Sequence, residues 1–341
     1  LRERERGLAD RFEVVRVESP SEKDSLRMLL SLQRELEWTR QCRFEPDLLP
    51  NLLELTENHE SELAMPGRAA NRLRAIASRY AGSAKRIGRQ ELLTTYREQT
   101  GLELEFFDPN SRIERKTLEK SLRKRIIGQD RAVEAMTDSV LLAKSMLTVP
   151  KRPLASLFFM GPTGVGKTEC AKQLAISLFG DPERLIRFDA NEINTASAVA
   201  RLTGLRSGEE GLLTGAVRRK PFCVLLFDEI EKAHPDLFDL LLQVLDEARL
   251  TDSMGRVASF AHAMIVFTSN LGTEKAALPV GFGADDVSRR DSIYLRAVKD
   301  FFRPEFVNRV DRFVPFELLN DSELNQIADR LIHEVTTRDG F

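Results

Sequence analysis

The chain has 341 residues, 42% hydrophobic and 30% charged, with a formal net charge of −2. That length suffices for about two domains with proper cores, and the charge balance excludes whole-chain attraction to nucleic acid. No apolar run approaches the roughly 18–20 residues of a membrane span, no signal-peptide pattern opens the chain, and Cys42, Cys170 and Cys223 lack paired spacing, so no membrane partner and a cytoplasmic location are expected.

In chain order, Phe12–Val17 reads as a short strand. Three amphipathic helices follow: Ser21–Trp38, with Leu26, Met28, Leu29, Leu32 and Leu36; Asp47–Leu55; and one beginning after Pro66, with Ala69, Leu73, Ile76 and Ala77 on one face. Ala81 to Glu114 is a polar connector with Gly82, Gly88, Gly101 and Pro109, with room for a helix over Arg89–Thr100. From Leu118 to Phe316 the pattern is α/β. Strands are expected at Leu157–Met160, Leu185–Phe188, Val224–Phe227, Met264–Thr268 and Phe313–Phe316. Helical patterns separate most of them, which predicts a mainly parallel sheet covered on both faces. Asp321–Thr337 carries Leu324, Ile327, Leu331 and Val335 on one stripe, and Asn320 with Glu323 opens it as a capping box. The basic runs Arg123-Lys124-Arg125 and Arg218-Arg219-Lys220 lie in or beside helices and read as solvated faces or subunit contacts.

Chemistry concentrates in the α/β part. Gly161-Pro162-Thr163-Gly164-Val165-Gly166-Lys167-Thr168 follows an apolar strand and opens a helical stretch. In that setting the glycines let backbone amides turn around phosphates, the helix N-terminus adds positive potential, and Lys167 reaches the β/γ-phosphates while Thr168 offers a hydroxyl to Mg2+. ATP or GTP binding is the expectation. Asp228 and Glu229 end a buried-type strand, where Asp228 can join the ion's shell and Glu229 can polarise an attacking water; the plain alternative is a helix cap. Thr268-Ser269-Asn270 ends another apolar strand, where Asn270 either holds the lytic water or γ-phosphate or serves as turn chemistry. In Arg303-Pro304-Glu305-Phe306-Val307-Asn308-Arg309, Arg309 is either a charge-stabilising finger or a salt-bridge partner for Asp311 or Glu305.

These segments, with Leu226–Pro235, Leu242–Asp246 and Arg249–Asp252 between them, occur in an order that resembles the second ATPase module of the Clp unfoldases and disaggregases of the AAA+ superfamily. The resemblance covers about Leu118 to Phe341 and is nearest in pattern to peptidase-coupled ClpC-like members. It implies an α/β AAA+ P-loop NTPase core, a parallel sheet between helices, with helical lid segments. It also implies a Walker A loop at Gly161–Thr168, a Walker B pair at Asp228 and Glu229, sensor 1 at Asn270 and a trans-acting arginine finger at Arg309. Ile126, Ile127 and Gly128 look like the adenine-side segment. ATP with Mg2+ on Thr168 and Asp228, a hexameric homo-oligomeric ring and protein substrates follow from the same resemblance. Residues 8–20 resemble the end of the family's first module, with Arg11 a candidate finger where the family carries two adjacent arginines. The implied layout is 1–82 as the C-terminal part of a first module, 83–117 as linker, 118–316 as the ATPase large domain and 317–341 as the start of a C-terminal lid.

Two segments set this chain apart. Where the family places a Gly-aromatic-Val-Gly pore loop, Arg201–Thr214 is about five residues shorter than that pattern and holds no aromatic. Either pore residues are missing from this sequence or substrate is not gripped in the usual way. Val280-Gly281-Phe282 fits the tripeptide with which peptidase-coupled members dock a protease ring; a phenylalanine tucked into its own domain is the alternative. The expected function is an ATP-dependent protein unfoldase or remodelling chaperone, an ATPase, with an ATP-gated assembly scaffold as the alternative.

Overall fold

A computed structural model describes residues 20–59, 65–100, 112–145, 152–205, 209–276 and 284–337. The expected strand Phe12–Val17, the candidate Arg11, the tripeptide Val280–Phe282 and residues 206–208 of the pore segment lie outside these. Two units result, Leu1–Thr95 and Tyr96–Phe341.

In the first unit, Ser21 caps helix α1 (Glu22–Arg40), its Oγ accepting from the Asp24 amide at 3.2 Å, which satisfies one open donor of the first turn. Strand β1 (Arg43–Phe44), helices α2 (Leu48–His59) and α3 (Gly67–Arg79), strand β2 (Arg86–Ile87) and helix α4 (Arg89–Thr100) follow. The division between units falls at Thr95, within α4. Helix α3 buries Ala69, Leu73, Ile76 and Ala77, the face its periodicity predicts. That face joins Leu29, Leu36, Phe44, Leu48, Leu52 and Ile87 in one apolar cluster. Strands β1 and β2 pair in parallel, Arg43 beside Arg86 and Phe44 beside Ile87. Sequence periodicity places Arg86–Ile87 in a connector because two residues carry no pattern to detect.

The second unit opens with α5 (Arg115–Arg123) and α6 (Asp130–Ser145), then β3 (Ala155–Met160), α7 (Lys167–Phe179), β4 (Leu185–Asp189), α8 (Ala196–Thr203), α9 (Leu212–Arg219), β5 (Cys223–Asp228) and α10 (Asp236–Glu247). A hairpin of β6 (Arg249–Thr251) and β7 (Val257–Ser259) leads to β8 (Ala263–Ser269), α11 (Thr273–Ala276), α12 (Ala284–Phe301), α13 (Pro304–Val307), β9 (Arg312–Pro315) and α14 (Asp321–Thr336). Five strands form one all-parallel sheet in the order β4-β5-β8-β3-β9. Strands β3, β5 and β8 are buried along their whole length, which is why they read as unbroken apolar runs.

Each strand contributes one phenylalanine to a row that follows the sheet order. Phe188 stacks on Phe227 at 5.5 Å between centroids, Phe227 on Phe267 at 5.8 Å, Phe267 meets Phe158 at 6.0 Å, and Phe158 meets Phe313 at 5.5 Å. Phe302 and Phe306 press edge-on against Phe158 and Phe267. The chain has 20 Phe but only 3 Tyr and 1 Trp; a dry row of this kind has no place for a hydroxyl or indole N–H. At the sheet edge the Asp311 carboxylate accepts from the Ser156 amide at 2.7 Å and from its hydroxyl at 2.8 Å, fixing β9 against β3. Asn320 and Glu323 form the expected capping box on α14, while Leu324, Leu331 and Val335 of its stripe are about half exposed.

The antiparallel hairpin β6–β7, unforeseen in the sequence, is braced by charge. The Asp252 side chain is wholly buried and lies 2.6 Å from Arg218 and 2.9 Å from Arg256. Arg218 also pairs with Glu210, which reaches Arg219 at 2.6 Å. Burial would raise the Asp252 pKa, but Arg218, the Arg256 and Met254 amides and the Arg256 side chain hold it at about 2. Asp252→Ala, which leaves the Arg218 guanidinium buried without this partner, is expected to cost roughly 3–5 kcal/mol in urea unfolding; Arg219→Ala, at the exposed end, is expected to cost about 1 kcal/mol or less. Since the folded value lies below the ordinary 3.8, the wild-type contribution is complete above that pH and is lost as pH falls towards 2. A Asp252→Ala protein as stable as wild type at neutral pH would contradict this account.

Candidate functional site

Sheet order assembles the site. Because β8 lies between β3 and β5, the C-terminal ends of three adjacent strands deliver the loop Gly161–Gly166, Asn270 and the pair Asp228–Glu229 side by side. The crevice beyond such strand ends is where open parallel sheets bind ligands.

The loop after β3 is tied down by the Gly161 amide, which donates to Ser269 O at 3.2 Å. Gly164 and Gly166 have φ of 84° and 100°, and a Cβ at either would project into open space. The loop is thus a turn that only glycine adopts without strain, with clear volume in front of it. Thr163 and Gly164 are exposed, Val165 is buried and Thr168 is half-buried in the first turn of α7. Open amides at that helix N-terminus favour an anion.

Lys167 opens α7 and is only 8% exposed. Its Nζ donates to Gly161 O at 2.5 Å, Pro162 O at 3.0 Å and Asn270 Oδ1 at 2.7 Å, so all three ammonium protons are used. Burial pushes its pKa from 10.5 down to about 8, against the pull of Glu231, Asp228 and Glu229. Asn270 links the two charges: its amide oxygen faces Lys167, and its Nδ2 donates to Glu229 Oε1 at 3.1 Å. The Asn270 backbone amide donates to Glu231 Oε1 at 2.9 Å.

Glu229 sits in the left-handed region with φ of 53°, a conformation that costs a side-chain-bearing residue roughly 1–2 kcal/mol. Its amide donates to Thr268 Oγ1 at 3.0 Å, and its Oε2 accepts from Asn191 Nδ2 at 2.8 Å. Thr268 Oγ1 in turn donates to Asp228 Oδ1 at 2.5 Å. The other Asp228 oxygen lies 2.6 Å from Arg187 Nη2. Beside the loop, buried Gln129 donates to Val165 O at 3.2 Å and Glu317 O at 2.9 Å, and accepts from the Glu317 amide at 3.1 Å. Next to this clamp, a Cβ on Gly128 would come 2.7 Å from Glu323 in the first turn of α14 and from Leu319 just before it.

The structure therefore brings together Gly161–Thr168, Asp228, Glu229 and Asn270, with Ile126–Gly128 beside them. It does not bring Arg309 there. Arg309 is half exposed and its Nε lies 2.6 Å from Asp246 Oδ1 on α10. The expected salt-bridge partners, Asp311 and Glu305, are not the ones it uses; Asp311 is committed to Ser156. Arg187, Asn191 and Glu231 were not foreseen as site residues. Arg187 lies in β4 and Asn191 in the turn just after it, where the polar exit Asp189-Ala190-Asn191 carries the same end-of-strand signal as Asp228-Glu229.

The family model for the AAA domain (Cdc48 subfamily) matches residues 152–313. Chaperone protein ClpC1, chloroplastic, of Arabidopsis thaliana is 46% identical over 236 residues, which is 65% of this chain and 25% of that protein. The ATP-dependent Clp protease ATP-binding subunit ClpC of Staphylococcus aureus is 40% identical over 268 residues, 75% of this chain and 33% of its own length. Among solved structures, the S. cerevisiae Hsp104-ADP complex superposes with a TM-score of 0.77 at 29% identity, covering 98% of this chain and 59% of that one. The extended S. cerevisiae Hsp104:casein complex gives 0.75 at 29% identity, covering 99% and 60%. The chain spans about a quarter to a third of the length of the curated relatives it matches.

The lowered pKa of Lys167 makes nucleotide affinity pH-dependent. A phosphate group beside Nζ favours the charged form, so affinity is expected to be flat below about pH 8 and to weaken above it, with proton uptake on binding. Calorimetry in buffers of different ionisation enthalpy reads that uptake; none at pH 9 would contradict the buried, depressed lysine.

Proposed function

We propose that this chain, a member of the Clp-type AAA+ ATPases, binds and hydrolyses ATP between the Gly161–Thr168 loop and the Ile126–Gly128 segment. Hydrolysis would be used in a ring to unfold or remodel protein substrates. The observation that carries the proposal is the continuous chain Lys167–Asn270–Glu229, which spans the ends of three strands and joins a phosphate-directed cation to a carboxylate. Lys167 would meet the β/γ-phosphates. Glu229, held by Asn191 and Asn270, would take the proton of the attacking water, and Asn270 would keep that water and Glu229 in one line.

The hard oxygen donors Thr168 and Asp228 would suit Mg2+, which would offset the charge of the nucleotide's phosphates. Arg187, half exposed, now holds Asp228 Oδ2 and would have to give it up for Asp228 to help hold the ion. Arg309 faces Asp246 rather than its own Lys167, which supports a finger given to a neighbouring subunit and hence a ring, hexameric by family resemblance. No helix among the described residues is long and apolar enough to cross a membrane. A peptidase ring docked through Val280-Gly281-Phe282 draws support from the printed name of the Staphylococcus aureus relative, a Clp protease ATP-binding subunit. The scaffold alternative, suggested by the aromatic-free segment Arg201–Thr214, is not favoured by relatives that are chaperones.

The test is loss of fluorescence from a tagged, folded reporter driven by ATP, using the complete gene product. Unfolding that stops with Glu229→Gln while ATP binding persists is the expected result. Robust hydrolysis without unfolding would give the scaffold reading its case, and turnover surviving in Glu229→Gln would remove the assigned base. Arg309→Ala is expected to slow hydrolysis by about 10³-fold or more, with full activity partly restored when mixed with Glu229→Gln subunits that supply intact fingers.

A further inference from the structure

The first unit carries a charge arrangement that its own fold does not need. Strands β1 and β2 are two residues each, and their parallel register sets Arg43 beside Arg86, with both side chains outward. Like charges side by side on adjacent strands repel. Phe44 and Ile87, the inward residues, supply the burial that holds the pair of strands, so the outward positions are free to be anything. Arg34 on α1 adds a third exposed guanidinium to the same depression. Among the described residues none of the three guanidiniums has an ion pair or hydrogen bond. Other arginines of the chain do pair with carboxylates: Arg115 with Asp138, Arg187 with Asp228, Arg218 with Asp252, Arg303 with Asp239 and Arg309 with Asp246.

Beside these arginines stands Trp38, 86% exposed. A tryptophan so open is unusual, because the indole gains more from burial than any other side chain of its shape. It lines, with Arg34, Arg43, Arg86 and Pro46, a depression of about 470 Å³. Glu37 in its wall is engaged, its Oε1 accepting from the Phe44 amide at 2.9 Å. Cys42 is buried, and burial with the nearby Glu37 raises its pKa, so the wall holds no reactive thiolate.

We propose that this face is a docking site for an acidic, extended segment of a partner protein, whose carboxylates pair with Arg34, Arg43 and Arg86 while an apolar side chain lies on Trp38. Guanidinium forks match carboxylates bidentately, and an exposed aromatic flanked by arginines is the composition of an interface anchor. A peptide fits better than nucleic acid. The positive groups form one cluster around a small depression rather than a stripe, the Glu37 carboxylate sits among them, and the chain as a whole is net negative. The inference does not depend on ATP hydrolysis and survives or fails apart from it.

Trp38 is the chain's single tryptophan, so its emission reads occupancy directly. The full chain is titrated with a short synthetic peptide of glutamates around a central leucine, with the same peptide carrying glutamines, and with a single-stranded oligothymidylate. The glutamate peptide is expected to shift and saturate the emission, with affinity falling as salt rises. Arg43→Glu with Arg86→Glu should weaken binding by about tenfold or more. Trp38→Phe, followed by anisotropy of the labelled peptide, should weaken it by a smaller factor. Both changes are at exposed positions, and circular dichroism checks that the helices persist. No response to the glutamate peptide, an equal response to the glutamine peptide, or unchanged affinity in the double variant overturns the proposal. A response to the oligothymidylate in place of the peptide overturns it in favour of nucleic acid.

Discussion

Burying the ammonium of Lys167 at the end of a dry sheet is the constraint around which the second unit is arranged. A cation in that position is costly unless each proton is accepted and opposite charge stands near. Two of its acceptors are carbonyls of its own loop, which fixes the loop's shape before any ligand arrives. The third is a side chain from β8, which requires that strand to lie between β3 and β5. The opposite charge comes from Asp228, Glu229 and Glu231 at the end of β5. Chain order alone would not put these groups together; the crossover that inserts β8 does.

The same economy governs Arg187 beside the site and Arg309 away from it. Arg187 holds Asp228, and Arg309 holds Asp246. Each guanidinium is paired with a carboxylate, at 2.6 Å in both cases. Both pairs are partly exposed, so water screens them and the release is inexpensive.

How much of this was legible in the sequence follows from how far each signal reaches. Strands β3, β5 and β8 appear as apolar runs because they are buried along their whole length, and the ends of all five strands are predicted to within one or two residues. The face of α3 appears because four residues at helical spacing are all that it buries. The phosphate loop is legible because glycine positions and a lysine are dictated by local geometry. What was missed depends on distant partners. Nothing near Arg309 in sequence announces Asp246, Asn191 is an ordinary turn residue until Glu229 is placed opposite it, and strands as short as β1 and β2 or β6 and β7 lack any period. The carboxylate of Glu231 was inside a quoted motif, yet its role emerges only when the backbone of Asn270 is seen to rest on it.

The phenylalanine row has a mechanical corollary. One ring from every strand, in contact from Phe188 to Phe313, leaves no pair of strands able to slide without unstacking an aromatic contact. Close-packed interiors of this kind deform little and carry displacement as a whole. A displacement at one edge of the sheet is therefore passed across its whole width, from β4 to β9.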